Sequence, residues 1–218
     1  MKRIKRKQLK EDELITTVGK IIRFAKKRSK ELFSLGVAVV LFILIFAVAR
    51  LVNIQNVKKE SRLLSQIIEL NSKLDETPEN VEKLKELAGK GKFSRLAYLF
   101  LASYWVERED FDKAEASLQK IIKGKKDIFY YQAQDLLAQI YTKRKDFDKA
   151  IDIYKKIEEK NPKEYALDAI LFHQAEAFEQ KGDIKKALAL YKKVQEEFPQ
   201  TYFGFDASQK VMKLETKK

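Results

Sequence analysis

The chain has 218 residues, 45% of them apolar, and carries 45 Lys and Arg against 32 Asp and Glu, a net charge of +13, with one histidine and no cysteine. That composition excludes disulfides, thiol nucleophiles and a cysteine-borne lipid anchor, and the lone His173 supports neither a zinc set nor a Ser-His-Asp arrangement. Seven glycines leave no Gly-rich phosphate cradle, so no cofactor, metal or enzymatic activity is expected.

The charge is unevenly placed. Residues 1–31 hold 12 Lys/Arg against 4 Asp/Glu, whereas residues 54–218 hold 32 against 28. A nucleic-acid binder concentrates basic residues on its folded domain, so no nucleic-acid partner is expected, and the run Lys2-Arg3-Ile4-Lys5-Arg6-Lys7 suits anionic lipid headgroups instead. Leu14, Val18, Ile21, Ile22 and Ala25 recur at helical spacing with Lys20, Arg23, Lys26, Lys27 and Arg28 opposite. This pattern fits a helix lying on the inner leaflet, and equally a solvated arm that enforces topology.

Phe33–Ala49 runs for 17 residues without a charge. Extended to residues 32–52, a helix would span about 31 Å, enough for the hydrocarbon core, with Arg50 snorkelling to the interface. The segment is apolar all round, unlike a buried amphipathic core helix, and the spacing predicts one transmembrane helix. Ala47-Val48-Ala49 also meets the small-x-small rule of a cleaved signal peptide, which would leave a mature end at Arg50, although the preceding tail is long for that class. By the positive-inside rule, residues 1–31 form a cytoplasmic tail and the rest is exported.

Residues 54–91 read as a degenerate helical hairpin. Val57, Leu64, Ile67, Ile68 and Leu74 mark its first helix, and Pro78 opens a second that ends near Gly89 and Gly91. A coiled-coil dimer helix is the alternative, but the apolar positions do not sustain three heptads.

Residues 92–218 repeat one pattern at spacings of 36 and 37: Ala102/Trp105/Ala114, Ala138/Tyr141/Ala150 and Ala175/Phe178/Ala187. Such a period signifies stacked helical hairpins, with small residues where two helices approach and aromatics filling the space beside them. Asp110, Asp146 and Asp183 stand where each hairpin turns over and are expected to cap the second helix, while Pro162 and Pro199 end it. Tyr202–Leu214 is expected to cap the array. Leu137-Ala138, Tyr141, Asp146-Phe147, Ala150, Tyr154 and Pro162 resemble the tetratricopeptide (TPR) repeat. The expected fold is therefore all-α: a single N-terminal transmembrane helix, then a TPR-type helical-hairpin solenoid with a C-terminal capping helix.

The TPR resemblance implies a concave protein-binding groove lined by the second, fifth, ninth and twelfth positions of each first helix. Here these are Leu96, Leu99, Ser103 and Val106, then Gln132, Asp135, Gln139 and Thr142, then Ala169, Phe172, Glu176 and Glu179. The lining runs from apolar to acidic and lacks the Lys and Asn clamp of carboxylate-binding TPR domains, which favours a ligand with apolar anchors and some basic residues.

The layout of basic tail, short amphipathic stretch, single crossing and degenerate-then-regular hairpins resembles the YfgM-type bacterial inner-membrane proteins, ancillary subunits of the Sec translocon. That resemblance implies a cytoplasmic N-terminus, a periplasmic TPR domain, and translocon subunits, periplasmic chaperones or exported chains as partners. A structural adaptor in envelope assembly or cell division, and a cleaved soluble periplasmic TPR protein, are the alternative readings.

Overall fold

The computed structural model describes residue 19 and residues 26–163 and 165–216, apart from the side chains of residues 32, 35 and 36, and these are all-helical. The amphipathic stretch expected between Leu14 and Ala25 lies outside the described residues. The chain divides into two units, residues 1–59 and 60–218.

Helix α1 (Ser29–Ser72) is 44 residues long. No proline interrupts its sequence, and past Gly36 it has no glycine, so nothing breaks the hydrogen-bond ladder between the apolar segment and the residues that follow it. Within the first unit its apolar side chains are unburied, with Phe33 75%, Phe42 70% and Ile45 68% exposed. It is the one helix among the described residues that is long and apolar enough to cross a membrane.

Within the second unit, the end of α1 is followed by α2 (Pro78–Ala88), α3 (Ser94–Glu107), α4 (Phe111–Ile122), α5 (Ile128–Lys143), α6 (Phe147–Lys160), α7 (Leu167–Lys181), α8 (Ile184–Glu197) and α9 (Tyr202–Glu215). Ile67 of α1 and Leu74 of the turn that follows it are buried with Val81, Leu84 and Ala88 of α2, and Leu70 packs beside them. Ile68, expected on that face, is 52% exposed. The buried stripe follows a spacing of three to four residues, and Ile68 sits one position off it.

Helices α3/α4, α5/α6 and α7/α8 form the three hairpins, and α9 packs on α8. Ala102, Ala114, Ala138, Ala150, Ala175 and Ala187 all have no exposed surface, as close helix approach requires. Their cores are relayed: Trp105 packs against the core on either side of it, and so do Tyr141 and Ile153. Each repeat thus buries its face only against its neighbours.

The turn preceding each second helix needs one residue in the left-handed region. Gly182 supplies it at φ +90°, whereas Glu109 (φ 58°) and Lys145 (φ 64°) hold the same place against the steric preference of an L side chain. Asp110 and Asp183 accept from the backbone N–H of Lys113 and Lys186, at 3.2 Å each. Asp146 makes no such cap, a correction to the uniform capping expected, although like Asp110 and Asp183 it pairs with the lysine three residues on, here Lys149 at 2.9 Å. The cap of α5 is Asp127, which accepts from Phe129 N–H at 3.1 Å and from the Arg95 guanidinium at 2.6 Å.

Each first helix contacts the next first helix along the array: α3 with α5, α5 with α7, α7 with α9. The backbones of successive second helices stand farther apart, and α6 and α8 meet through the Lys193–Glu158 ion pair at 2.9 Å. The array therefore curves toward the layer of α3, α5, α7 and α9, and the candidate groove lies on that layer.

Candidate functional site

The inner layer places the expected groove residues in three settings. Leu96 joins the first core, and Leu99 and Val106 join the second, so these apolar side chains are half-buried structural residues as well as wall. Ser103 and Gln132 are half-buried, and Thr142 is buried and donates its hydroxyl to the Ala138 carbonyl at 3.0 Å. Ala169 and Phe172 are buried, and the Phe172 ring meets Phe203 of α9 with centroids 5.2 Å apart. Thr142, Ala169 and Phe172 all stand at inward positions with little exposed surface, Thr142 beside a small cavity and Phe172 at the floor of a larger cleft.

The centre of the layer is a polar cluster that joins the second and third repeats. Asp135 is only 4% exposed, yet its carboxylate is well supplied: Tyr165 donates to it at 2.8 Å, Gln139 at 3.2 Å, and His173 Nδ1 lies 2.9 Å away. Burial of an unpaired carboxylate would be costly, and these contacts account for its tolerance there. Burial disfavours the His173 cation, but the hydrogen bond and charge of Asp135 outweigh it, so the imidazole pKa lies above its ordinary value. Burial and the nearby carboxylate hold the Tyr165 phenol far above the normal range, so it serves as a donor. A small cavity of about 100 Å³ beside this cluster is lined by Gln139, Thr142, His173 and Glu176 among others.

The acidic end expected from Glu176 and Glu179 is resolved into two different groups. Glu179 receives the Tyr191 hydroxyl at 2.7 Å and the Lys210 ammonium at 2.8 Å. Burial opposes its charge, but those donors prevail and its pKa falls below the ordinary carboxylate value. Glu176 has Lys210 only at 3.8 Å, and burial raises its pKa.

The residues that sequence reasoning missed are on α9. One more step of 36 from Ala169, Phe172 and Glu176 lands on Phe205, Ser208 and Met212. These side chains, with Phe172, Glu176 and Tyr202, line a cleft of about 1090 Å³. Thus α9 does not merely shield the array; it stands as a fourth first-helix and extends the inner layer. The alanine signature ends at Ala187, and Val211 occupies the equivalent of Ala175, which hid the extra step. Among the described residues no group of three or more His, Cys, Asp or Glu could hold a metal ion.

The family model described as tetratricopeptide repeat-like domain matches residues 30–216. Among solved structures, the N-terminal domain of stress-induced protein-1 (STI-1) from C. elegans is similar at 21% identity and TM-score 0.45, covering 56% of this chain and 94% of that one. BtubC (BKLC) from P. vanneervenii is similar at 20% identity and TM-score 0.45, covering 73% of this chain and 65% of that one. No curated protein matches the chain. The family match covers most of the sequence, and the repeat scaffold it denotes is one for protein–protein interaction: the chain belongs to the tetratricopeptide repeat-like domain family.

Proposed function

We propose that this protein is a membrane-anchored TPR interaction module of the bacterial inner membrane, acting at the Sec translocon on exported proteins or periplasmic chaperones. The N-terminus is cytoplasmic, residues 32–52 cross the bilayer, and the repeats are periplasmic. The observation that carries the reading is that one chain holds both a solvent-exposed apolar helix long enough to span a bilayer and a curved repeat array whose inner layer presents apolar and acidic side chains. The basic excess of residues 1–31 supports the orientation, and the layout resembling YfgM-type proteins supports the translocon as the place of action. Confinement to the membrane raises the effective concentration of the repeats toward other membrane proteins, so weak groove contacts suffice.

The test is copurification in mild detergent of the full chain and of a version lacking residues 1–53. Translocon subunits and exported chains are expected with the full chain and are lost with the truncation. Equal recovery of partners by both forms would remove the anchoring element, and recovery of one unrelated envelope protein would favour a structural adaptor.

A further inference from the structure

The cleft between α7 and α9 has features that an end-cap does not need. A terminal helix that only shields a repeat array carries a polar outer face. Here Tyr202, Phe205 and Met212 are 73%, 63% and 66% exposed and recur at helical spacing, above a floor formed by Phe172 and Phe203. Scattered apolar residues are ordinary on a surface, but a contiguous aromatic and methionine patch inside a concavity of about 1090 Å³ is the character of a binding site.

The charges in the cleft say what kind of ligand it takes. Lys210 is committed to Glu179 at 2.8 Å, and Tyr191 donates to the same carboxylate. Glu176, two-thirds enclosed, is left with Lys210 at 3.8 Å as its one ion pair among the described residues, and Asp206 lies on the same wall. The His173 charge also acts on Glu176, but among the described residues neither it nor Lys210 donates a hydrogen bond to this carboxylate, which leaves it able to take a cation with its own donors. Lys213 lies along the same cleft, so the cation belongs beside Glu176 rather than anywhere along the trough. Glu176 also lines the small cavity with Gln139 and His173, so it borders both concavities. An extended chain that leaves the cleft past Glu176 meets those polar side chains next, which a compact ligand held in the cleft does not.

We propose that the α7/α9 cleft docks an apolar polypeptide segment whose aromatic or aliphatic side chains enter between Phe205 and Met212 and whose arginine or lysine pairs with Glu176. This rests on the reading of the inner layer as a polypeptide-binding surface and gives that surface a principal subsite and a ligand chemistry. An arginine suits the site best, because its planar fork can bridge both carboxylate oxygens.

The test uses the full chain in nanodiscs of zwitterionic lipid, with empty nanodiscs as blank. The probes are three short fluorescein-labelled peptides of Leu, Phe and Gly that differ only in a central Arg, Gln or Glu, read by anisotropy. The Arg peptide is expected to bind most tightly. F205D/M212D, which alters exposed side chains only, is expected to weaken it at least about tenfold while circular dichroism is unchanged. E176Q is expected to weaken the Arg peptide about tenfold and leave the Gln peptide unaffected, and E176K to reverse the preference toward the Glu peptide. Binding that survives F205D/M212D, with the peptide caught instead by a photoreactive residue at Gln139, would overturn the cleft while sparing the general reading. Indifference to Glu176 would overturn the ligand chemistry. Absence of binding and of capture anywhere on the inner layer would overturn both readings, and a dimer dissociated by F205D/M212D would assign the patch to a second copy of the chain.

Discussion

Replacing Gly204 by alanine sets two physical effects against each other. On helix propensity alone the change should stabilise α9 by about 1 kcal/mol, because Gly204 lies inside a helix. A Cβ built there would lie 1.8 Å from the Phe198 carbonyl oxygen, 2.8 Å from its carbonyl carbon and 3.2 Å from Pro199 Cα. All three neighbours are backbone, so no side chain can swing aside, and α9 must withdraw from the end of α8 by roughly 1.5 Å to restore van der Waals distance. Complete undocking would expose Ala207, Val211 and Leu214, now at most 8% exposed. At about 1.5–3 kcal/mol for each of the two larger side chains, that places an upper bound near 6 kcal/mol. A partial withdrawal costs about half of it, so Gly204→Ala is expected to destabilise the C-terminal repeat by about 3 kcal/mol. Hydrogen exchange of the full chain is the suitable assay, since repeat arrays open locally: amides of α8 and α9 should lose protection by about a hundredfold while those of α3 and α4 are unchanged. Unchanged or increased protection in α9 would refute the argument, because propensity would then have prevailed over the close approach.

Other expectations follow from single observations. Asp127→Ala removes the cap of α5 and the carboxylate partner of the Arg95 guanidinium, which keeps only the Ile121 and Lys125 carbonyls, and should cost about 2 kcal/mol in urea unfolding, whereas Asp146→Ala, which removes no cap, should cost under about 0.5 kcal/mol. Gly182→Ala meets nothing within 4 Å, so it should cost only the left-handed backbone strain, about 1 kcal/mol, while Lys145→Gly at the equivalent turn should stabilise by about 0.5 kcal/mol. The pKa of His173 is raised in the folded protein, so its contribution is fully present below its unfolded value near 6.5 and is lost as pH rises through the folded value. Urea midpoints should therefore decline as pH rises above about 6.5, and His173→Gln should flatten that decline; an identical slope in the variant would show that the Asp135 contact carries no linkage.

Much of the fold was legible because its determinants are local and periodic. The alanine pairs mark the crossing within each of the three hairpins, and an aspartate before a helix can find a free amide without help from distant residues, as Asp110 and Asp183 do. Asp146 makes no cap although all three aspartates pair with the lysine three residues on, and its local sequence does not set it apart. Long-range chemistry was not legible. Asp135 sits at an inward position and reads as an exposed acid, because the residues that make its burial tolerable, Tyr165 and His173, are 30 and 38 positions away. The same distance hid the Arg95–Asp127 pair. The apolar segment and the first helix of the degenerate hairpin share α1, because the composition changes after residue 52 while nothing in the sequence there breaks a helix. The role of α9 was obscured because its small-residue signature had decayed to Val211 while its spacing had not.

The central claim is that the inner layer of the repeats holds exported polypeptides at the membrane. Site-specific photocrosslinking in native membranes tests it most directly, with photoreactive residues at Gln139 and Phe205 on the inner layer and at Lys156 on the outer face of α6. Adducts with exported chains and translocon subunits are predicted from Gln139 and Phe205 and not from Lys156; equal capture from both faces, or capture from Lys156 alone, would contradict the account.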